Sequence, residues 1–316
     1  MSEIEDPTAQ EFVDPSNQSQ VPGSYHFPTP GIVLFSQLGV SVGLALVAAL
    51  LCQFIAQLNG WDLSNVMQSF SKDATYAERW QMRIYQMCSH MSSFLAAGMV
   101  VLSLFYARAS GNKPNWKSYL GTQWPGFRTI VLSVLMAIVA WPLVFYSYAL
   151  NKAIPLPESM RVAEQLYQDA IKGLMQMENV GEFAGNFFLV AVLAALGEEL
   201  VFRGVVQQQL VRLMKQPWLA ICTTALIFSL IHFEFAGLLP RFMLGVILGW
   251  LYWKTGNIWA SISAHLFVNG IQVVMMYLFA LGKVTVNPEN DVEVPAFVAL
   301  ISLFLVWATA RFFVKK

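Results

Sequence analysis

Eight apolar stretches punctuate the chain, separated by short polar or charged segments. They fall at about 32–57, 84–107, 129–150, 183–213, 217–236, 241–253, 257–281 and 295–313. Most are near the ~20 residues that a helix needs to cross a bilayer, and the sixth is short. The pattern predicts an all-α fold: a polytopic membrane helix bundle of about eight transmembrane helices. A ninth segment has a different periodicity. Between Pro157 and Glu178 the apolar residues Met160, Ala163, Leu166, Tyr167, Ile171, Leu174 and Met175 recur at helical spacing, with Arg161, Glu164, Asp169 and Lys172 on the other side. This predicts an amphipathic helix lying on the membrane surface, either a cover over a cavity mouth or a simple connector. Pro142 is expected to kink the third span. Gly245 and Gly249 in the sixth offer a small-xxx-small packing face.

Composition agrees with the pattern. Of 316 residues, 56% are hydrophobic and 12% charged, against about 25% charged in an ordinary soluble domain. The mean hydropathy is +0.53. Net charge is zero, which favours no nucleic-acid partner; the bilayer is the expected environment. Cys52, Cys88 and Cys222 are scattered in or beside apolar runs and read as small buried hydrophobes. Residues 1–30 are polar, with Glu3, Glu5, Asp6, Glu11 and Asp14 and no Lys or Arg. They are expected to be a disordered, uncleaved tail ahead of a single transmembrane domain at 31–316. The loop after the second span carries Arg108, Lys113, Lys117 and Arg128 and no acid. With eight crossings, the positive-inside rule puts that loop and both termini in the cytoplasm.

Against this background the fourth span is anomalous. It contains Glu198, Glu199 and Arg203 in an otherwise apolar run, and each charge near a bilayer centre costs about 2.5–3.5 kcal/mol on insertion scales. Glu199 and Arg203 are four apart, acid first, so they share a helix face and can pair. Glu198 lies about 100° round the helix and is left without a local partner. Partners are available on later spans: His232 in Phe228-Ser229-Leu230-Ile231-His232, and His265 with Asn269, again four apart on one face. Counted from the expected span ends at about 1.5 Å per residue, Glu198 and His232 lie at similar depth and His265 and Asn269 one to two turns shallower. His90, in the second span, stands alone among Met, Ser and Ala and reads as a packed or interfacial histidine.

If Glu198, His232, His265 and Asn269 line one wet pocket, they suit hydrolysis of a carbonyl compound. A buried glutamate takes a proton from water, His232 shares that water or relays the proton, and His265 and Asn269 donate to the developing oxyanion. No serine or cysteine sits in a nucleophile elbow. Glu198, His232 and His265 are also a donor set for zinc, although there is no His-Glu-x-x-His segment. Metal-bound and metal-free water both remain open. Two other readings use the same residues: a transporter with a proton relay, which would bring matching repeats that are absent here, and a bundle in which the polar residues only fix helix register.

The three motifs together, Glu198-Glu199-x-x-x-Arg203, Phe228-x-x-x-His232 and His265-x-x-x-Asn269, resemble the CAAX protease and bacteriocin-processing family of intramembrane endopeptidases, which includes the Ras-converting CAAX endopeptidase and bacterial Abi-type proteins. The resemblance covers about 183–281. It implies that Glu198 is the general base, His232 its partner, and His265 and Asn269 the oxyanion site, with Glu199 and Arg203 in support and Phe228 packing. It also implies a membrane-associated substrate, peptides with a prenylated cysteine among them. Some members are labelled metalloproteases, and some bacterial relatives are associated with immunity or binding.

Overall fold

The computed structural model describes residues 28–106, 116–285 and 294–313. Most of the acidic tail, most of the basic loop after the second span, the acidic loop before the last span and the end of the terminal lysine pair lie outside them. Among the described residues there is no strand. In chain order the helices are α1 (Pro30–Leu58), α2 (Leu63–Ser69), α3 (76–106), α4 (Trp116–Leu120), α5 (Phe127–Lys152), α6 (Glu158–Met175), α7 (180–214), α8 (Pro217–Leu230), α9 (Leu238–Thr255), α10 (Ile258–Ala280) and α11 (Ala296–Arg311). The stretches at 30–58, 76–105, 127–152 and 258–280 are long and apolar enough to cross a membrane; α8 and α11 are apolar but shorter. Large apolar side chains such as Phe35, Leu38, Leu50 and Leu58 are exposed along α1. Such a surface suits lipid and not water, and the chain is an integral membrane protein.

Helix ends differ from the sequence expectation at three places. α3 begins at Tyr76, a full two turns before 84, because Thr75 and Glu78 form a reciprocal capping box. The charges this adds are satisfied inside the protein. Arg79 binds Glu182 with Nε–Oε1 2.8 Å and Nη2–Oε2 3.2 Å, and Arg83 reaches Glu182 at 2.6 Å and Asn186 at 2.8 Å. All four side chains are buried. α8 stops at Leu230, so His232 lies past its end in a turn, with Phe233 at φ 53°. α9 starts at Leu238 and takes in Pro240, tolerated in a first turn whose N–H groups lack helical acceptors anyway.

Within α5, Pro142 removes a backbone donor. Ser302 of α11 fits the opened ladder, donating to Val139 O at 2.5 Å and accepting from Leu143 N at 3.2 Å. The Gly245–Gly249 face is used as its spacing suggests. A Cβ on Gly245 would stand 2.9 Å from Ala225 Cβ, and one on Gly249 3.0 Å from Ile221 Cγ2, so the glycines let side chains of α8 pack directly on the α9 backbone.

Two apolar clusters frame the centre. One joins α1, α3, α7 and α10 through Val33, Leu102, Leu200, Ile258 and Ile262. The other joins α5, α9 and α10 through Met136, Leu248, Leu251, Ala260 and Ala264. At 100° per residue, His265 and Asn269 fall on the Ile258–Ile262 face of α10, the face turned to α3 and α7. α3 and α7 run side by side in the same direction, since contacts advance together along both, from Arg79 with Glu182 to Gly98 with Leu200.

Candidate active site

The site is built on α7. An α-helical segment, Ala194–Glu199, is followed directly by a π-helical one, Leu200–Gln207. Wide turns of this kind insert an extra residue and recur at functional sites. Glu199 and Arg203 are fully buried and paired at 2.8 Å. Arg203 also donates to Gly245 O at 3.0 Å and lies 5.0 Å over the Phe228 ring. The same Glu199 oxygen, Oε1, meets His265 Nδ1 at 2.8 Å. Glu199 is thus neutralised by one cation and orients one imidazole, which leaves Glu198 as the carboxylate with chemistry to spare.

Glu198 is buried, and its two oxygens face two imidazoles. Oε2 is 3.8 Å from His265 Nε2. Oε1 is 3.1 Å from Nε2 of His90. The second contact was not anticipated: His90 is no isolated packing residue but the nearer of the two imidazoles at the candidate base. Its sequence neighbourhood carries no signal for this, because the contact joins two helices far apart in the chain.

His265 and Asn269 come together as their spacing suggests, with Asn269 Nδ2 3.1 Å from His265 Nε2. Asn269 Nδ2 also donates to Val190 O at 2.8 Å, on the first π-helical turn of α7, Phe187–Leu193. His232 stands differently. Its Nδ1 is 2.8 Å from Phe228 O, its ring is edge-on to Phe228 at 5.2 Å, and it makes no ion pair with Glu198 among the described residues. It remains within electrostatic reach of that carboxylate. Phe228 is the shared wall, 5.1 Å from Phe202 and 6.1 Å from His265, centroid to centroid.

The zinc reading needs Glu198, His232 and His265 around one ion. Among the described residues no three His, Cys, Asp or Glu side chains converge as a metal-holding group. The ring nitrogen of His232 nearest the backbone is held by a carbonyl.

α6 does pack onto the segment that follows His232. Glu164 accepts from the backbone N–H of Phe235 at 2.8 Å and of Ala236 at 3.1 Å. Asn151 donates to Phe235 O at 2.6 Å. Burial, with the Glu234 carboxylate beside it, pushes the Tyr167 hydroxyl up from the ordinary phenol range, and Glu198 acts on it too. Through Glu164, α6 is docked against the turn that follows His232.

The family model described as Type II CAAX prenyl endopeptidase Rce1-like matches residues 181–271. All three motifs lie inside that stretch. Over that stretch the chain is similar to the Rce1-like CAAX protease family. The Rce1-like segment covers less than a third of the sequence and contains Glu198, Glu199, Arg203, Phe228, His232, His265 and Asn269, but not His90. No curated protein and no solved structure matches the chain.

Proposed function

We propose that the protein is an intramembrane endopeptidase that hydrolyses a peptide bond of a membrane-associated substrate, of the prenylated CAAX type, with a water molecule activated by Glu198. The observation that carries this reading is the contrast between neighbours. Glu199 is held through Oε1 by both Arg203 and His265, whereas Glu198 is buried with only imidazoles at its oxygens. Two carboxylates and one arginine leave one negative charge over, and a carboxylate of that kind serves as a base for water.

In the proposed reaction the water oxygen attacks the scissile carbonyl carbon while Glu198 takes the water proton. The tetrahedral intermediate then collapses. The C–N bond breaks, the proton passes from Glu198 to the leaving amine, and a carboxylate and an amine depart. Asn269 is the donor proposed for the oxyanion, joined by His265 when its Nε2 carries a proton, since its Nδ1–H is held by Glu199 Oε1. In the substrate-free arrangement the Asn269 amide is engaged by Val190 O and His265, so the substrate carbonyl must displace one of these contacts. His232, at the end of α8, is proposed to share the water or the proton. Both termini are proposed to face the cytoplasm.

The test uses one peptide with and without its lipid. Purified protein in proteoliposomes is incubated with a CAAX-type peptide, prenylated or not, and the products are read by mass spectrometry. The expected result is cleavage of the prenylated form after the modified cysteine and at least ~10-fold less of the bare peptide, the discrimination that about 1.4 kcal/mol of lipid contact confers. Equal cleavage of both forms overturns the substrate assignment, and cleavage of neither overturns the endopeptidase reading.

A further inference from the structure

The Rce1-like segment leaves one side chain at the centre of the site unassigned. We infer that His90 is a positioning residue for the candidate base: its Nε2 holds Glu198 Oε1, so that Oε2 is presented to the water and the substrate carbonyl. The inference rests on the endopeptidase reading for its consequence in catalysis, but the contact itself does not.

Three observations carry it. First, His90 Nε2 is buried and has no partner other than Glu198, which stands 3.1 Å away. The oxygen lies off the N–H axis, so the contact is an ion-pair approach and not an aligned hydrogen bond. Catalytic contacts are commonly misaligned before substrate binds and tighten afterwards. Second, the approach is imposed by the packing on both sides of it. Arg79 and Arg83 lock the start of α3 to Glu182 and Asn186 at the start of α7. Further along, a Cβ on Gly197 would stand 3.0 Å from Phe94 Cβ, and one on Gly98 2.9 Å from Leu200 Cδ2. Glycine at these two positions is what allows the helices to close around His90 and Glu198. Third, the ring itself is oriented. It stacks on Phe94 at 4.5 Å and 27°, and Phe94 packs on Phe202. A π-helical turn, Met91–Ala96, begins immediately after His90, just as one begins immediately after Glu199. Both partners of the contact therefore sit where α-helix passes into π-helix, the local geometry that re-aims side chains.

The arrangement gives the two oxygens of Glu198 different tasks. Without a donor on Oε1 the carboxylate can rotate, and an oxygen misplaced by about 1 Å costs on the order of 100-fold in rate. A neutral donor at the same place suffices for this role, since what is required is the direction of an N–H and not a titrating ring.

The experiment compares His90→Phe, which keeps the ring stacked on Phe94 and removes the donor, with His90→Gln, whose amide N–H falls near the position of Nε2. Both are made in the full chain and assayed on a prenylated CAAX-type peptide in proteoliposomes, beside Glu198→Gln. The expected result is a kcat lowered about 10–100-fold in His90→Phe with KM within about 2-fold of wild type, and a kcat in His90→Gln recovered to within about 5-fold. A wild-type kcat in His90→Phe overturns the inference, as does a His90→Gln kcat no better than that of His90→Phe, or a loss confined to KM. A thermal-unfolding double-mutant cycle of His90→Phe with Glu198→Gln reads the contact without activity: non-additive Tm shifts are expected, and additive ones overturn it. If neither wild type nor any variant cleaves while the cycle shows coupling, the endopeptidase reading fails and the contact stands. If wild type cleaves and His90→Phe equals it, the inference fails and the reading stands.

Discussion

Glu198 and Glu199 are neighbours in sequence with opposite surroundings, and the difference follows from helix geometry. Glu199 shares a face with Arg203, and the i, i+4 pair needs no tertiary information to be recognised. Its burial makes the pair consequential. Removing one partner leaves a charge in the interior without compensation, at a cost of about 3–5 kcal/mol. Glu199→Ala is therefore expected to lower the Tm in detergent sharply, since Arg203 would keep only Gly245 O and the Phe228 face. A Tm equal to that of wild type would contradict this account of the pair. The i, i+4 relation of His265 and Asn269 was legible for the same reason, and the structure brings them to 3.1 Å. His90 was not legible. Nothing within one turn of it signals a carboxylate, and its role depends on the register of α3 against α7, which periodicity does not encode.

Among the elements, positions came through better than ends. The apolar runs located the helices, but α3 starts two turns early because a capping box and buried partners for Arg79 and Arg83 outweigh the apparent polarity of that stretch. α8 ends early because Phe233 takes a left-handed conformation right after His232. This places His232 on a turn rather than in a helix, with its Nδ1 on the carbonyl of Phe228. The amphipathic pattern of 158–175 was readable as a helix. Its docking was not, because it depends on a single carboxylate, Glu164, capping two backbone N–H groups beyond α8. Hydrogen bonds to a charged group contribute roughly 1.5–3 kcal/mol, and Glu164→Ala is expected to free α6 and that turn together. Hydrogen–deuterium exchange should rise in 158–175 and in 233–237 and stay unchanged in α10. Protection retained in both segments would mean that α6 is held by its apolar face alone.

At the scale of the whole molecule, the chain surrounds a small polar centre with apolar helices. The surface of α1 faces lipid, the clusters on either side of α10 supply the packing, and the parallel pair α3 and α7 closes over the carboxylate. The Rce1-like segment accounts for the motifs, but the first helices are part of the same site, since α3 supplies the nearer of the two imidazole contacts to Glu198. Everything proposed about function depends on that one carboxylate being the base for water. The most direct test is the rate at which Glu198→Gln cleaves a prenylated CAAX-type peptide in proteoliposomes, alongside wild type of the same Tm. The account predicts a loss of at least ~100-fold, the scale of a general base, with the protein still folded. Cleavage at the wild-type rate by folded Glu198→Gln would contradict it.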